Sequence, residues 1–213
     1  KDHGFHKAVV GLSGGIDSSA TFKIAVDALG SQNVIALILP ELGVSSEENI
    51  KHAKALADYF HVKSFYQPIN TMVMDFGIAP WKPNRTAQMN TKARIRAVLL
   101  YSYANTENAL VLGTSNKSEL LLGYGTKYGD LAADVEVLGN LYKTEVYALA
   151  EYLELPEEII AKAPTAELEV GQTDEGELGA SYKVLDAVLQ MLGEGKRRET
   201  IVKAGFPGGL VDR

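Results

Sequence analysis

The chain has 213 residues, 46% of them hydrophobic, and a net charge of −6. That length suits one domain with a real core, and the acidic balance argues against a broad nucleic-acid surface, which needs clustered Lys and Arg. Cysteine is absent, which excludes disulfides, thiolate metal sites and any cysteine nucleophile within the chain.

Lys1 to Lys7 is polar, with no secretory apolar segment. No later stretch approaches the roughly 20 apolar residues of a membrane span, so a soluble, cytoplasmic protein is expected. Ala8 to Leu12 is a short run rich in branched side chains, the pattern of a strand buried on both faces of a parallel sheet. Ser13-Gly14-Gly15 breaks it. Adjacent glycines lack the Cβ atoms that would keep the backbone from a bulky anion, and they permit positive φ in a tight turn. Asp17, Ser18 and Ser19 suit the mouth of a helix. Strand, glycine turn and helix N-terminus together predict a cradle for phosphate, although neither a Walker A lysine nor a G-x-G-x-x-G string is present.

Phe22, Ala25, Val26 and Leu29 recur at helical spacing, and Gly30 is a natural stop. Val34 to Leu39 reads as a second strand ending at Pro40. Ser45 with Glu48 predicts a capping box for a helix whose inner face is Ile50, Ala53, Ala57 and Phe60. Val62 to Gln67 is a weaker third strand. Asn70 to Asn84 has no clean period and predicts a long loop. A helix resumes near Thr86, with Ile95, Val98, Leu99 and Ser102 as its buried face. Ala109 to Gly113 is a fourth strand, Val135 to Leu138 a short fifth, and Val146, Leu149, Ala150 and Leu153 mark another helix. This alternation predicts an α/β fold, a Rossmann-like open parallel sheet of about five strands covered by helices, with ligands at the C-terminal strand ends. Residues 1–213 are read as a single domain, mainly helical from about Pro156 onward.

Polar clusters follow the predicted strands. In Gly113-Thr114-Ser115-Asn116-Lys117-Ser118-Glu119 a hydroxyl and a carboxylate could reach one ligand, or Ser115 caps a helix with Glu119 at its exposed start. Magnesium takes one or two protein carboxylates plus phosphates and water, a requirement that Asp17 and Glu119 fit. Lys143 either neutralises phosphate charge or sits solvated at a helix start. Asn90 and Arg94 share a helix face, where the guanidinium forks onto a phosphate or carboxylate or makes a surface salt bridge.

The string SGGIDSS, from Ser13, resembles the pyrophosphate-binding loop of the ATP pyrophosphatases. Further motifs run through Gln88 to Arg96, Leu112 to Glu119, and Lys127-Tyr128-Gly129-Asp130 with Asp134. Lys143, Pro164-Thr165-Ala166, Asp174-Glu175, Leu178-Gly179 and Tyr182 follow. With them the chain resembles the NAD⁺ synthetases over essentially its whole length, and an adenine nucleotide alpha hydrolase-like fold is implied. The resemblance implies amidation of deamido-NAD⁺: ATP adenylates the nicotinate carboxylate, releasing pyrophosphate, and ammonia then displaces AMP. It also implies roles. Gly11, Leu12, Ser13, Gly14, Gly15, Ile16, Asp17, Ser18, Ser19, Thr114, Lys143 and Thr165 would bind ATP, and Asp17 and Glu119 would bind Mg²⁺. Asp17, Lys143 and Glu119 would form the catalytic set. Arg94, Lys127 and Asp134 would contact deamido-NAD⁺, with Asp130 beside them.

Members usually carry a His-Lys pair near the C-terminus, whereas this chain reaches Arg213 without one, and His3, His6, His52 and His61 all lie upstream. With no Cys nucleophile for a glutaminase, free ammonia is the expected donor, a separate glutaminase subunit being the alternative. A homodimer is implied, with Tyr101 and Tyr103 on helix 86–104 as candidate contacts. The rival readings are an ATP pyrophosphatase acting on another acceptor, such as a tRNA base or a purine, and a non-catalytic ATP-binding module.

Overall fold

The computed structural model describes residues 4–212, so readings that involve Lys1, His3 and Arg213 lie outside the described residues. Strands β1 (Lys7–Gly11), β2 (Val34–Ile38), β3 (Lys63–Tyr66), β4 (Ala109–Gly113) and β5 (Val135–Glu136) form one parallel sheet in the order β3-β2-β1-β4-β5. The helices are α1 (Ile16–Leu29), α2 (Glu47–Tyr59), α3 (Asn70–Phe76), α4 (Arg85–Glu107), α5 (Lys117–Leu122), α6 (Lys143–Tyr152), α7 (Glu157–Ile160), α8 (Asp174–Leu178), α9 (Tyr182–Gly193), α10 (Arg198–Lys203) and α11 (Gly208–Val211).

The two-residue side-chain period of β1 assigns the layers. Ala8, Val10 and Leu12 join a core with α1, α2 and α6, while Val9 joins a second core with Ile35, Val111, α3 and α4. Burial of such side chains contributes about 1.5–3 kcal/mol each, so both faces of the central strands are covered. Among the described residues no helix is long and apolar enough to cross a membrane.

Four expectations need correction. The stretch from Asn70 begins with helix α3, whose Met72 and Val73 pack on the second core. Helix α2 is capped by Ser46, whose Oγ accepts from Asn49 N at 3.4 Å, while Ser45 Oγ accepts from Glu41 N instead. On α4, Val98 is 67% exposed and Ser102 is exposed, because the helix meets the sheet through Ala93, Ile95, Ala97 and Ala104. Finally, Asn116 rather than Ser115 caps α5, accepting from Glu119 N at 3.0 Å, while Glu119 Oε2 accepts from Asn116 N at 3.2 Å.

Beyond residue 156 the chain packs on helices that flank the sheet. Helix α9 packs on both α5 and α6, and Ile201 of α10 is wholly buried. At the other edge β3 is exposed along its length. Lys54 Nζ lies 4.0 Å from the Tyr66 ring centre there, and Lys63 Nζ lies 4.8 Å from that of Phe65.

Candidate active site

In a parallel sheet whose order reverses beside β1, the chains leaving β1 and β4 diverge and open a crevice at their carboxyl ends. A cavity of about 540 Å³ occupies that position, with Gly11, Leu12, Leu112, Gly113 and Thr114 on its floor. The glycine turn forms one wall. Gly14 has φ +88, and a Cβ there would fall 2.1 Å from the carbonyl oxygen of Asn49 in α2. The turn therefore presses backbone to backbone on α2, which only glycine permits.

Two hydroxyls brace the same turn. Ser18 Oγ lies 2.9 Å from Ser13 Oγ and donates to Gly15 O at 3.0 Å, and Gly15 N donates to Ser13 Oγ at 3.2 Å. The first amides of α1, which no intrahelical carbonyl can satisfy, open beside this turn. Ser13, Gly15, Ile16, Asp17 and Ser18 all line the cavity. Ser19 is fully buried, and its Oγ has no hydrogen-bond partner among the described residues.

Asp17 sits in the first turn of α1 and Glu119 in the first turn of α5. Both approach the ammonium of Lys143, the first residue of α6: its Nζ donates to Asp17 Oδ2 and lies 3.8 Å from Glu119 Oε1. Asn116 Nδ2 donates to the other Asp17 oxygen at 3.0 Å. Far from being solvated at a helix start, Lys143 is only 1% exposed. Burial works against its charge, but Asp17 and Glu119 outweigh it, and the ammonium pKa ends above its ordinary value. Glu119 is pushed up to about 8, by burial first and then by the nearby Asp17 charge.

Asp17 and Glu119 thus converge on one cation, and two hard carboxylates facing a cavity are a donor set that Mg²⁺ accepts, with water and phosphate completing it. The residues fit that ion.

Further groups enclose Lys143. Its Nζ lies 5.3 Å from the Tyr182 ring centre. Asp174 accepts from Tyr124 Oη at 3.2 Å and from Tyr182 Oη at 3.3 Å, and burial raises its carboxyl pKa. Tyr124 also donates to Glu177 at 2.7 Å. Burial, followed by Asp174, keeps the Tyr124 phenol protonated.

Thr165 and Glu167 lie on the segment that crosses toward α2, and both line the cavity. Glu167 has φ +47 and accepts from Asn49 Nδ2 at 2.5 Å. Lys162 Nζ donates to Asn49 Oδ1 at 2.5 Å. Asn49 therefore touches the glycine turn through its backbone and the 162–167 segment through its side chain.

The residues expected to contact the dinucleotide divide into two sets. Asp130 lines the cavity, and both its carboxylate oxygens accept from Thr126 N, at 3.0 and 3.1 Å. Arg94, Lys127 and Asp134 lie off the cavity wall. Arg94 Nε donates to the carbonyl of Lys127 at 3.2 Å, a contact that is not a salt bridge. Asp134 accepts from Val111 N at 2.8 Å and from Tyr101 Oη at 3.3 Å. Asn90, one turn before Arg94, accepts from Thr126 Oγ1 at 2.9 Å, so α4 holds the 126–130 loop at two points.

Local spacing gives no warning of the side-chain bonds that Asn49 makes to Glu167, Tyr124 to Asp174 and Asp186 to the amide of Thr144, since they span 118, 50 and 42 residues of sequence. Asn116, Asp174 and Tyr182 fall inside or beside quoted motifs, which marked the neighbourhood without assigning them roles.

The family model described as NAD synthase matches residues 1–213. The NH(3)-dependent NAD(+) synthetase of Methanocaldococcus jannaschii is 48% identical over 199 residues, 92% of this chain and 76% of that protein. Among solved structures, an NMN synthetase from Francisella tularensis superposes with a TM-score of 0.84 at 35% identity, over 92% of this chain and 80% of that one. The NH3-dependent NAD synthetase from Campylobacter jejuni superposes at 0.81 with 36% identity, over 98% of this chain and 82% of that one. With a glycine turn, a lysine held between two carboxylates and a family match along its whole length, this chain belongs to the NAD synthase family.

Proposed function

We propose that this chain converts deamido-NAD⁺ to NAD⁺ at the expense of ATP, with ammonia as nitrogen donor and AMP and pyrophosphate as products. The observation that carries the reading is the buried Lys143 ammonium held by Asp17 and Glu119 behind a glycine turn at the sheet's carboxyl edge. A carboxylate resists ammonia because it would have to expel oxide. Transfer of AMP to that carboxylate forms a C–O–P anhydride as the Pα–O bond to pyrophosphate breaks. Ammonia then adds to the carbonyl carbon, AMP leaves with the C–O electron pair, and one proton is released.

Such chemistry asks a protein mainly to position reactants and to hold developing charge. In this reading the backbone of Gly11 to Ile16, with Ser18, Thr114 and Thr165, holds ATP. Lys143 keeps the carboxylates of Asp17 and Glu119 together. Those two would bind Mg²⁺, which when present supplies positive charge to phosphate oxygens. Asp130 faces the acceptor acid inside the cavity, and Arg94, Lys127 and Asp134, which lie off its wall, would meet the part of the dinucleotide that extends beyond it. Thr165, Asp174 and Tyr182 come from the C-terminal third, which supports treating 1–213 as one catalytic domain. A cytoplasmic enzyme fed by free ammonia fits a sequence without cysteine.

The likeness to a protein named NMN synthetase favours a second reading, in which the acceptor is the mononucleotide acid. One assay separates them: pyrophosphate and amide are measured with Mg²⁺-ATP and ammonium, in the presence of deamido-NAD⁺, nicotinic acid mononucleotide or neither. Pyrophosphate release that depends strictly on deamido-NAD⁺, with no amide from glutamine alone, is expected. A preference for the mononucleotide selects the second reading, and release without either acid defeats both.

A homodimer is also proposed. The tyrosines expected at its interface are engaged internally, Tyr101 with Asp134 and Tyr103 against Phe65 with ring centres 5.5 Å apart. Val98 is the large apolar residue that α4 leaves open. Sedimentation should give a dimer at micromolar concentration that Val98→Asp weakens, and a monomer there refutes the assembly.

A further inference from the structure

Helix α6 begins at Lys143 with a tyrosine, Tyr142, at its cap position. Tyrosine has no short side-chain oxygen to offer the free amides of a first turn, the service that Ser, Thr, Asp or Asn would perform. Other helices perform it here. Lys143 N donates to Ser118 Oγ of α5 at 2.8 Å, and Thr144 N donates to Asp186 Oδ2 of α9 at 2.8 Å. Ser118 Oγ in turn donates to Asp186 Oδ1. Ser118 and Asp186 are both fully buried, at 0% and 1% exposure.

A buried carboxylate is costly unless its oxygens are satisfied. Asp186 has no ion-pair partner among the described residues; its acceptors are used on one hydroxyl and one amide, close to the positive end of a ten-residue helix. One helical turn earlier, Tyr182 lies against the Lys143 ammonium. A single face of α9 therefore holds Lys143 at both ends, by ring at the ammonium and by carboxylate at the adjoining backbone. The same carboxylate fixes Ser118, the residue before Glu119.

We propose that Asp186 is a positioning residue for the reaction: it locks the start of α6 to α5, so that the Lys143 ammonium and the Glu119 carboxylate stay in register over Asp17. The inference rests on the roles given to Lys143 and Glu119 above. Asp186 touches neither cavity nor substrate. Its effect on turnover passes through Lys143.

The test compares Asp186→Asn, Ser118→Ala, Lys143→Met and the Asp186→Asn/Lys143→Met double variant. Amide formation, ATP binding by calorimetry and thermal melting are read for each. Asp186→Asn keeps an acceptor for Thr144 and should fold, while turnover falls about 10- to 100-fold, the usual effect of losing an outer supporting contact. The KM for deamido-NAD⁺ should stay near the parental value. Ser118→Ala should act in the same direction, and it stands in should Asp186→Asn fail to fold. In the Lys143→Met background the added Asp186→Asn change should cost nothing further in ATP affinity or turnover, because a residue acting through another cannot lose its effect twice. Losses that multiply, or parental turnover in both Asp186→Asn and Ser118→Ala, overturn the positioning role while leaving the reading of Lys143 intact. Parental turnover in Lys143→Met overturns that reading and this inference with it.

Discussion

Lys143→Ala should all but abolish amide formation and weaken the fold as well. The ammonium is the cation held between the Asp17 and Glu119 carboxylates, and removing one member of a buried charged cluster costs about 3–5 kcal/mol because the remaining charges lose compensation. Turnover should fall about 10²- to 10³-fold, the scale of losing one preorganised charge-stabilising group. Lys143→Met separates the two contributions, since it keeps much of the buried stem and removes only the charge. Thermal melting with and without Mg²⁺ is the informative measurement. A divalent ion held by the same carboxylates should recover part of the lost melting temperature in either variant and recover little turnover. A temperature gap indifferent to Mg²⁺ would argue that Asp17 and Glu119 do not share a cation.

Gly14→Ala should be nearly as damaging, and Gly15→Ala should not be. At position 14 the methyl would meet a backbone carbonyl oxygen at 2.1 Å, and the backbone already has φ +88. Left-handed strain and forced displacement of α2 together cost on the order of 2–5 kcal/mol. At position 15 the φ is −83 and the nearest atom to a new Cβ is Ser13 Oγ at 3.4 Å. Denaturant midpoints for the pair give the contrast. ATP affinity should follow the same order, because the displaced helix turn is also where Asn49 holds the 162–167 segment. Equal midpoints for the two alanines would remove the close approach as the reason for glycine at position 14.

The centre of the sheet could be read in advance because β2, β4 and β1 from Ala8 onward are apolar runs; β4 occupies Ala109–Gly113 as expected. Helix α4 was harder. Large apolar residues at helical spacing point to Val98, yet the buried positions include Ala93, Ala97 and Ala104. Small side chains let the helix lie close to β1, where Leu100 comes within 3.5 Å of the place a Cβ on Gly11 would occupy. Helix α3 leaves little trace in the sequence because seven residues give too few turns for a period to emerge, and Ile69 offers no polar cap. In the site, Asp17 and Glu119 sit in recognisable strings, while Lys143 stands alone in the sequence. The groups that hold them in place are not marked in this way, since the partners of Asp186 are 42 and 68 residues away and nothing local records such a meeting.

The uncovered flank at β3 has a consequence for handling the protein. A bare outer strand offers its amides and carbonyls as a template to any neighbouring molecule, and flat apolar surface there would invite fibrous stacking. The aromatic rings of Phe65 and Tyr66 are instead overlaid by the ammonium groups of Lys63 and Lys54. Chemical acetylation of lysines, which discharges these sentinels, should therefore shorten the time the purified protein stays clear in concentrated solution.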